Sequence, residues 1–187
     1  MADVKGCKVA VLATDGVEQV ELTEPVKALK QAGAQVTVVS PKGGQIQAFN
    51  HLTPGEKLTT DASLAEAKPE QFDALMLPGG VANPDQLRMQ PQAVAFVKHF
   101  VDAGKPIAAI CHAPWTLIEA GAVQGRRMTS WPSLRTDLRN AGANWVDEAC
   151  VQDGKLVTSR KPDDLPVFNQ HMLALFAGRA EQRAAAE

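Results

Sequence analysis

The chain has 187 residues, 45% hydrophobic and 21% charged, with a formal net charge of −2. Length and composition suit one globular domain filling positions 1–187, with its core over about 7–177 and a tail that frays from Gly178 onward. Such a balanced charge gives no footing for a nucleic-acid scaffold or an anionic membrane as partner, and Arg126-Arg127 reads as a solvated loop. No apolar run suits a signal peptide or a membrane span. Cys7, Cys111 and Cys150 form no Cys-x-x-Cys pair and read as reduced thiols of a cytoplasmic protein. The four histidines, His51, His99, His112 and His171, stand at no zinc-like spacing, so neither a metal nor another cofactor is expected.

In chain order, Lys8 to Ala13 is a buried strand, with Cys7 as core packing at its start. Thr14-Asp15-Gly16-Val17 then leads to Glu18 and a helix whose inward stripe is Leu22, Val26 and Leu29. Pro25 interrupts that helix, which either starts near Thr23 or kinks. Gln35 to Val39 is a second strand, and short strand-like pieces broken by Thr53-Pro54-Gly55 occupy the stretch from Ile46 to Ser63, where His51 reads as a surface loop residue. A third buried strand, Phe72 to Leu77, ends in Pro78-Gly79-Gly80. The helix from Pro91 to Ala103 carries Val94, Val97 and Val101 on one face, which leaves His99 exposed.

After the strand Pro106 to Ile110, Met128 to Trp131 reads as a short strand and Ser133 to Ala141 as a helix. Asp153-Gly154 signals a hairpin between Trp145–Val151 and Lys155–Ser159, in which Cys150 is structural. A last helix over Asp164 to Phe176 turns Leu165, Phe168, Met172 and Leu175 inward. Strands alternating with helices at this spacing predict an α/β fold with a doubly wound, mostly parallel sheet, and ligands at the carboxyl ends of its strands.

The chemistry concentrates at Lys105-Pro106-Ile107-Ala108-Ala109-Ile110-Cys111-His112-Ala113-Pro114-Trp115. A wholly apolar strand ends at Cys111, and Pro114 suits the first turn of the next helix. Such a corner projects its residue over the sheet edge, and the small neighbours Ala109 and Ala113 permit the turn. Facing a helix N-terminus, Cys111 is expected to be a nucleophile with a lowered thiol pKa. Attack by its thiolate on a carbonyl carbon needs oxyanion donors, for which Gly79, Gly80 and the His112 N–H are candidates. His112 is a candidate base, although adjacent side chains on a tight turn often point apart. Glu18 is a candidate proton partner or, alternatively, only a complement to the helix dipole.

Ala-Ile-Cys-His-Ala-Pro at 109–114, Leu-Pro-Gly-Gly at 77–80 and Asp-Gly-Val-Glu-Gln-Val-Glu-Leu at 15–22 resemble the PfpI/ThiJ superfamily. Gly-Ala-Asn-Trp-Val-Asp at 142–147 and Thr-Ser-Arg-Lys-Pro-Asp-Asp-Leu-Pro at 158–166 resemble its bacterial PfpI branch. The resemblance implies a flavodoxin-like sheet sandwiched by helices, of the class I glutamine amidotransferase-like type. It places Cys111 on the family nucleophile, His112 on its adjacent histidine, Glu18 on the acid that hydrogen-bonds the cysteine, and Gly80 with the His112 N–H on the oxyanion site. It also implies that Asp85, on the loop after Gly79-Gly80, meets His112 of a neighbouring subunit in a homodimer or higher homo-oligomer. The chain departs from the pattern at Ala113, where glycine is frequent, and at Trp115, whose indole either narrows the site or is a half-buried helix residue. Three activities compete: a glyoxalase or deglycase acting on small dicarbonyls or glycated substrates, an intracellular cysteine peptidase, and a non-catalytic redox sensor or stress chaperone.

Overall fold

The computed structural model describes residues 3–184, and the structural statements below concern those residues. In chain order the elements are β1 (Lys8–Leu12), β2 (Val17–Glu18), α1 (Gln19–Gln31), β3 (Gln35–Ser40), β4 (Gln45–Asn50), β5 (Thr53–Thr59) and β6 (Ala62–Ser63). There follow β7 (Ala74–Leu77), α2 (Ala82–Arg88), α3 (Pro91–Asp102), β8 (Ile107–Ile110), α4 (Pro114–Glu119), β9 (Arg127–Met128) and α5 (Arg135–Asn140). β10 (Asn144–Trp145), β11 (Cys150–Asp153), β12 (Leu156–Ser159) and α6 (Leu165–Ala184) complete them.

Among the described residues, seven strands form one sheet in the order β11-β12-β8-β7-β1-β3-β6. Every pairing in it is parallel except the β11–β12 hairpin, which forms where expected and turns at Gly154-Lys155, Asp153 being the last paired residue of β11. The strands are short apolar runs because both faces are covered, and alternate residues enter opposite cores. Ala10, Leu12, Leu75, Leu77, Ile107 and Ala109 pack with Phe96, Phe100 and Leu117 on one side. Val9, Val11, Ala74, Met76, Ala108 and Ile110 pack with Leu29, Phe168 and Met172 on the other. The flavodoxin-like, doubly wound sandwich is the observed fold. The order reverses between β1 and β7, and an open α/β sheet of this kind forms a crevice at such a switch point.

Several elements differ from the sequence expectation, each for a packing reason. α1 starts at Gln19, ahead of the Thr23 start, and carries Pro25 inside it. The buried face of α3 keeps Val97 of the expected stripe but adds Ala93, Phe96 and Phe100, with Val94 and Val101 only half-buried, because the two phenylalanines bring more apolar area to the core. His99 on that helix is half-buried with its ring against Phe100. β9 pairs with β10 as a separate two-stranded sheet, so Trp145 does not belong to the hairpin. α6 runs through Gly178 to Ala184, where the sequence suggested fraying. β2, β4 and β5 form a third sheet, and the β4–β5 hairpin stands over the carboxyl edge of the main one.

Candidate active site

The hydrogen bonds around the end of β8 produce the corner that the sequence anticipated. Cys111 N–H still joins the ladder, donating to Ser159 O at 3.0 Å, and Ala113 N–H already donates to Ile110 O at 3.1 Å. Between these two bonds the backbone of Cys111 takes φ = 64°, a left-handed conformation that a non-glycine residue rarely adopts. Trp131 N–H caps the corner by donating to Cys111 O at 2.9 Å. The thiol consequently lies on the floor of a crevice of about 410 Å³ walled by Glu18, Glu21, Phe49, His51, Gly80 and Trp131.

The carboxylate against Cys111 is Glu21, not Glu18. Glu21 is fully buried, its Oε2 accepts from Gly79 N–H at 3.1 Å, and it shares a proton contact with the Cys111 thiol. Burial, with the Glu18 charge nearby, pushes its pKa up from the ordinary 4.5 to about 8, so it is protonated at neutral pH. Glu18 lies three residues earlier, at the end of β2, where Oε2 accepts from His51 N–H at 3.0 Å. It faces the crevice and holds the tip of the β4–β5 hairpin, where His51 has φ = 56°. A signal for Glu21 was present in the sequence: it sits at i and i+4 with Pro25 and at i+8 with Leu29, on the face that α1 buries.

His112 does not point away from its neighbour. Its Nδ1 is 3.1 Å from Cys111 Sγ and its Nε2 is 3.4 Å from Ser133 Oγ. The ring stacks on Trp131 with centroids 5.8 Å apart and meets Trp115 at 5.1 Å. Enclosure by the two indoles lowers the imidazole pKa from 6.5 to about 4, leaving it neutral at pH 7 and able to accept a proton. The thiol also departs from the dipole argument, since burial and then the Glu21 charge push it up from its ordinary value. The following helix has only six residues, too few for its terminus to offset that burial. The N–H groups of Gly80 and His112 both bond toward the sulfur and favour its charged form.

Gly79 and Gly80 are required here for space as well as conformation. A Cβ on Gly79 would lie 2.5 Å from Cys111 Cβ and collide with the Glu21 carboxylate. Gly80 has φ = 82°, and a Cβ there would lie 2.6 Å from Glu18 N. The Gly79 N–H is taken by Glu21, the Gly80 N–H bonds toward both Glu21 and the sulfur, and the His112 N–H bonds toward the sulfur. Asn83, fully buried in α2, clamps this loop: Nδ2 donates to Pro78 O and Gly79 O at 3.0 Å each, and Oδ1 accepts from Thr14 N–H at 2.8 Å. Asp85, two residues further, is exposed in the first turn of α2, and among the described residues no carboxylate bonds to His112. Trp115 is half-buried outside the crevice, donating Nε1–H to Asp137 at 2.9 Å, so the indole that narrows the site is Trp131. The described residues contain no cluster of histidine, cysteine and acids able to hold a metal, and no helix long and apolar enough to cross a membrane.

A cysteine at a strand-to-helix corner with an adjacent imidazole, on the strand beside the switch point of a parallel sheet, is an arrangement of flavodoxin-like cysteine proteins. The model of the DJ-1/PfpI family matches residues 7–175, and the chain belongs to that family. It is 46% identical over 171 residues to general stress protein 18 of Bacillus subtilis, covering 91% of this chain and 98% of the relative. It is 42% identical over 173 residues to protein/nucleic acid deglycase 2 of Escherichia coli, covering 90% and 96%. The crystal structure of Drosophila melanogaster DJ-1beta superposes with a TM-score of 0.85 at 28% identity, over 97% of each chain.

Proposed function

We propose that this chain is a cytoplasmic, stress-related enzyme of the glyoxalase or deglycase type, acting on methylglyoxal, glyoxal or their adducts through Cys111. The observation that carries this reading is the 3.1 Å pairing of Cys111 Sγ with a neutral His112 Nδ1 on the floor of a small crevice. A space of about 410 Å³ suits a small carbonyl compound better than an extended peptide. The name of the Escherichia coli relative supports the same reading.

In this mechanism Nε2–H of His112 donates to Ser133 Oγ, which leaves Nδ1 to take the thiol proton as Sγ adds to the aldehyde carbon. The alkoxide forms between the N–H groups of Gly80 and His112 and takes that proton back, giving a hemithioacetal. Transfer of the hydrogen from the former aldehyde carbon to the adjacent ketone carbon, as a proton through an enediol, oxidises the first carbon and reduces the second. His112 Nδ1, neutral again once the alkoxide has its proton, takes the proton from the first carbon and returns it to the second, while the protonated Glu21 carboxyl donates a hydrogen bond at the site, and no external oxidant or reductant enters. The resulting thioester of lactate is hydrolysed by water, which releases the hydroxy acid and restores the thiol. With an adduct, the carrier leaves as its amine or thiol when Sγ takes its place. Glu18 acts at the crevice wall in this scheme and not on the sulfur.

The same reading assigns the active assembly to a homodimer or higher homo-oligomer in which Asp85 of one subunit orients His112 of the next. It is supported by the exposed Asp85 side chain and by a hydroxyl, not an acid, as the in-chain partner of His112. The test incubates the protein with methylglyoxal, a methylglyoxal-modified thiol and unfolded casein in parallel, each against Cys111→Ala. Lactate formation that disappears in Cys111→Ala is the expected result. Casein cleavage without lactate would install the peptidase in its place, and folded protein inert toward all three would leave only a redox or chaperone role.

A further inference from the structure

One charged group at the crevice is not needed by the chemistry on the sulfur. Glu18 is over nine-tenths buried yet lines the cavity. Its Oε2 is bonded to His51 N–H, while Oε1 has no hydrogen-bond partner among the described residues. The lining residues include no lysine or arginine. The cations flanking Pro162 are engaged elsewhere, Arg160 with Asp147 at 2.8 Å and Asp164 at 2.9 Å, and Lys161 with Asp163 at 3.4 Å. The aromatic rings of Phe49 and Trp131 complete the wall. A buried carboxylate oxygen in a partly aromatic wall, without a counter-cation, is the chemistry that recognises guanidinium or ammonium and repels phosphate or carboxylate.

We propose that Glu18 makes this crevice select carbonyl adducts carried on cationic nitrogen groups, such as an arginine side chain, over adducts on neutral or anionic carriers. The proposal rests on the hydrolase reading for the fate of the adduct, but the charge selection is a binding property and is measurable without turnover. The carrier's cation bonds Glu18 Oε1 and lies against the aromatic wall, leaving its adduct carbon directed to the thiol on the floor.

The experiment uses Nα-acetylarginine amide and its uncharged near-isostere Nα-acetylcitrulline amide as probes, titrated calorimetrically into the protein at pH 7. The arginine compound binds at least tenfold more tightly to the wild type. Glu18→Gln keeps an oxygen for His51 N–H and brings the two probes to equal affinity. Equal affinities in the wild type, or no binding of either probe up to millimolar concentration, overturn the proposal. So does a preference that survives in folded Glu18→Gln. Should that variant not fold, the wild-type pair decides alone. A parallel arm offers the methylglyoxal adduct of the same arginine amide and measures lactate. Selective binding without lactate defeats the hydrolase reading and leaves the selection standing; lactate from the arginine adduct, with equal binding of the two probes, does the reverse.

Discussion

Replacing Glu21 by glutamine removes one titration and keeps the side chain's size and its oxygen for Gly79 N–H. In the folded protein Glu21 titrates at about 8 instead of 4.5 because it is buried and faces Glu18. Between those two values the folded chain holds a proton that the unfolded chain has lost, so stability falls as pH rises from about 4.5 to 8. At about 1.4 kcal/mol per pH unit the full window is on the order of 5 kcal/mol. That is a large part of the roughly 5–15 kcal/mol that holds a domain folded. Glutamine has no such dependence. The two proteins should therefore match near pH 5 and diverge steadily, with Glu21→Gln the more resistant by several kcal/mol at pH 8. Guanidinium unfolding at pH 5, 6, 7 and 8 measures this, and other titrating groups cancel in the difference between the two proteins. Parallel midpoint curves across the whole range would show that Glu21 is ionised in the folded state and that the burial argument is wrong.

Further outcomes follow from the same geometry. His112→Ala should lower kcat/KM for methylglyoxal by about 10²- to 10⁴-fold, and the wild-type acid limb should lie near pH 4, where the imidazole protonates; a limb near 6.5 would refute the enclosure by the two tryptophans. Asn83→Ala strands Thr14 N–H and two loop carbonyls, and should cost roughly 2–4 kcal/mol of stability by chemical denaturation; a loss below half a kcal/mol would mean that the loop holds itself. Mixed dimers of Cys111→Ala and Asp85→Ala subunits should regain part of the wild-type activity, because one of the two sites is then intact. No recovery after confirmed subunit exchange, with each variant inactive alone, would confine Asp85 to its own subunit.

The layout of the sheet was readable because parallel strands buried on both faces are apolar along their buried length, as β7, β8 and β1 beyond Lys8 are. The corner at Cys111 was readable for a related reason: an apolar run, two flanking alanines and Pro114 admit few backbone paths. What remained hidden was set by packing between distant segments. Glu18 and Glu21 differ by less than one helical turn, and only the docking of α1 beneath Gly79 decides which carboxyl reaches the sulfur. The dipole argument for a low thiol pKa considered one short helix and left out the burial that outweighs it. Trp131, Phe49 and His51 come to the crevice from a loop and a detached hairpin, and local sequence does not show where either one folds back.

The interlocking of Gly79, Glu21 and Cys111 has a consequence for anyone redesigning the specificity. On that side even one added methyl group has no room, so a library built there samples damage to the reaction before it samples new ligands. The opposite wall is different in kind. Phe49, His51 and Leu52 belong to a hairpin outside the seven-stranded sheet, and its exposed tip is fastened by the bond from His51 to Glu18, with the Glu56 N–H bonded to Gln19 behind it. Substitution, lengthening or exchange of that tip reshapes the mouth of the crevice while the machinery on the floor stays in place. The fold thus keeps the thiol and the rim of its crevice on separately replaceable parts.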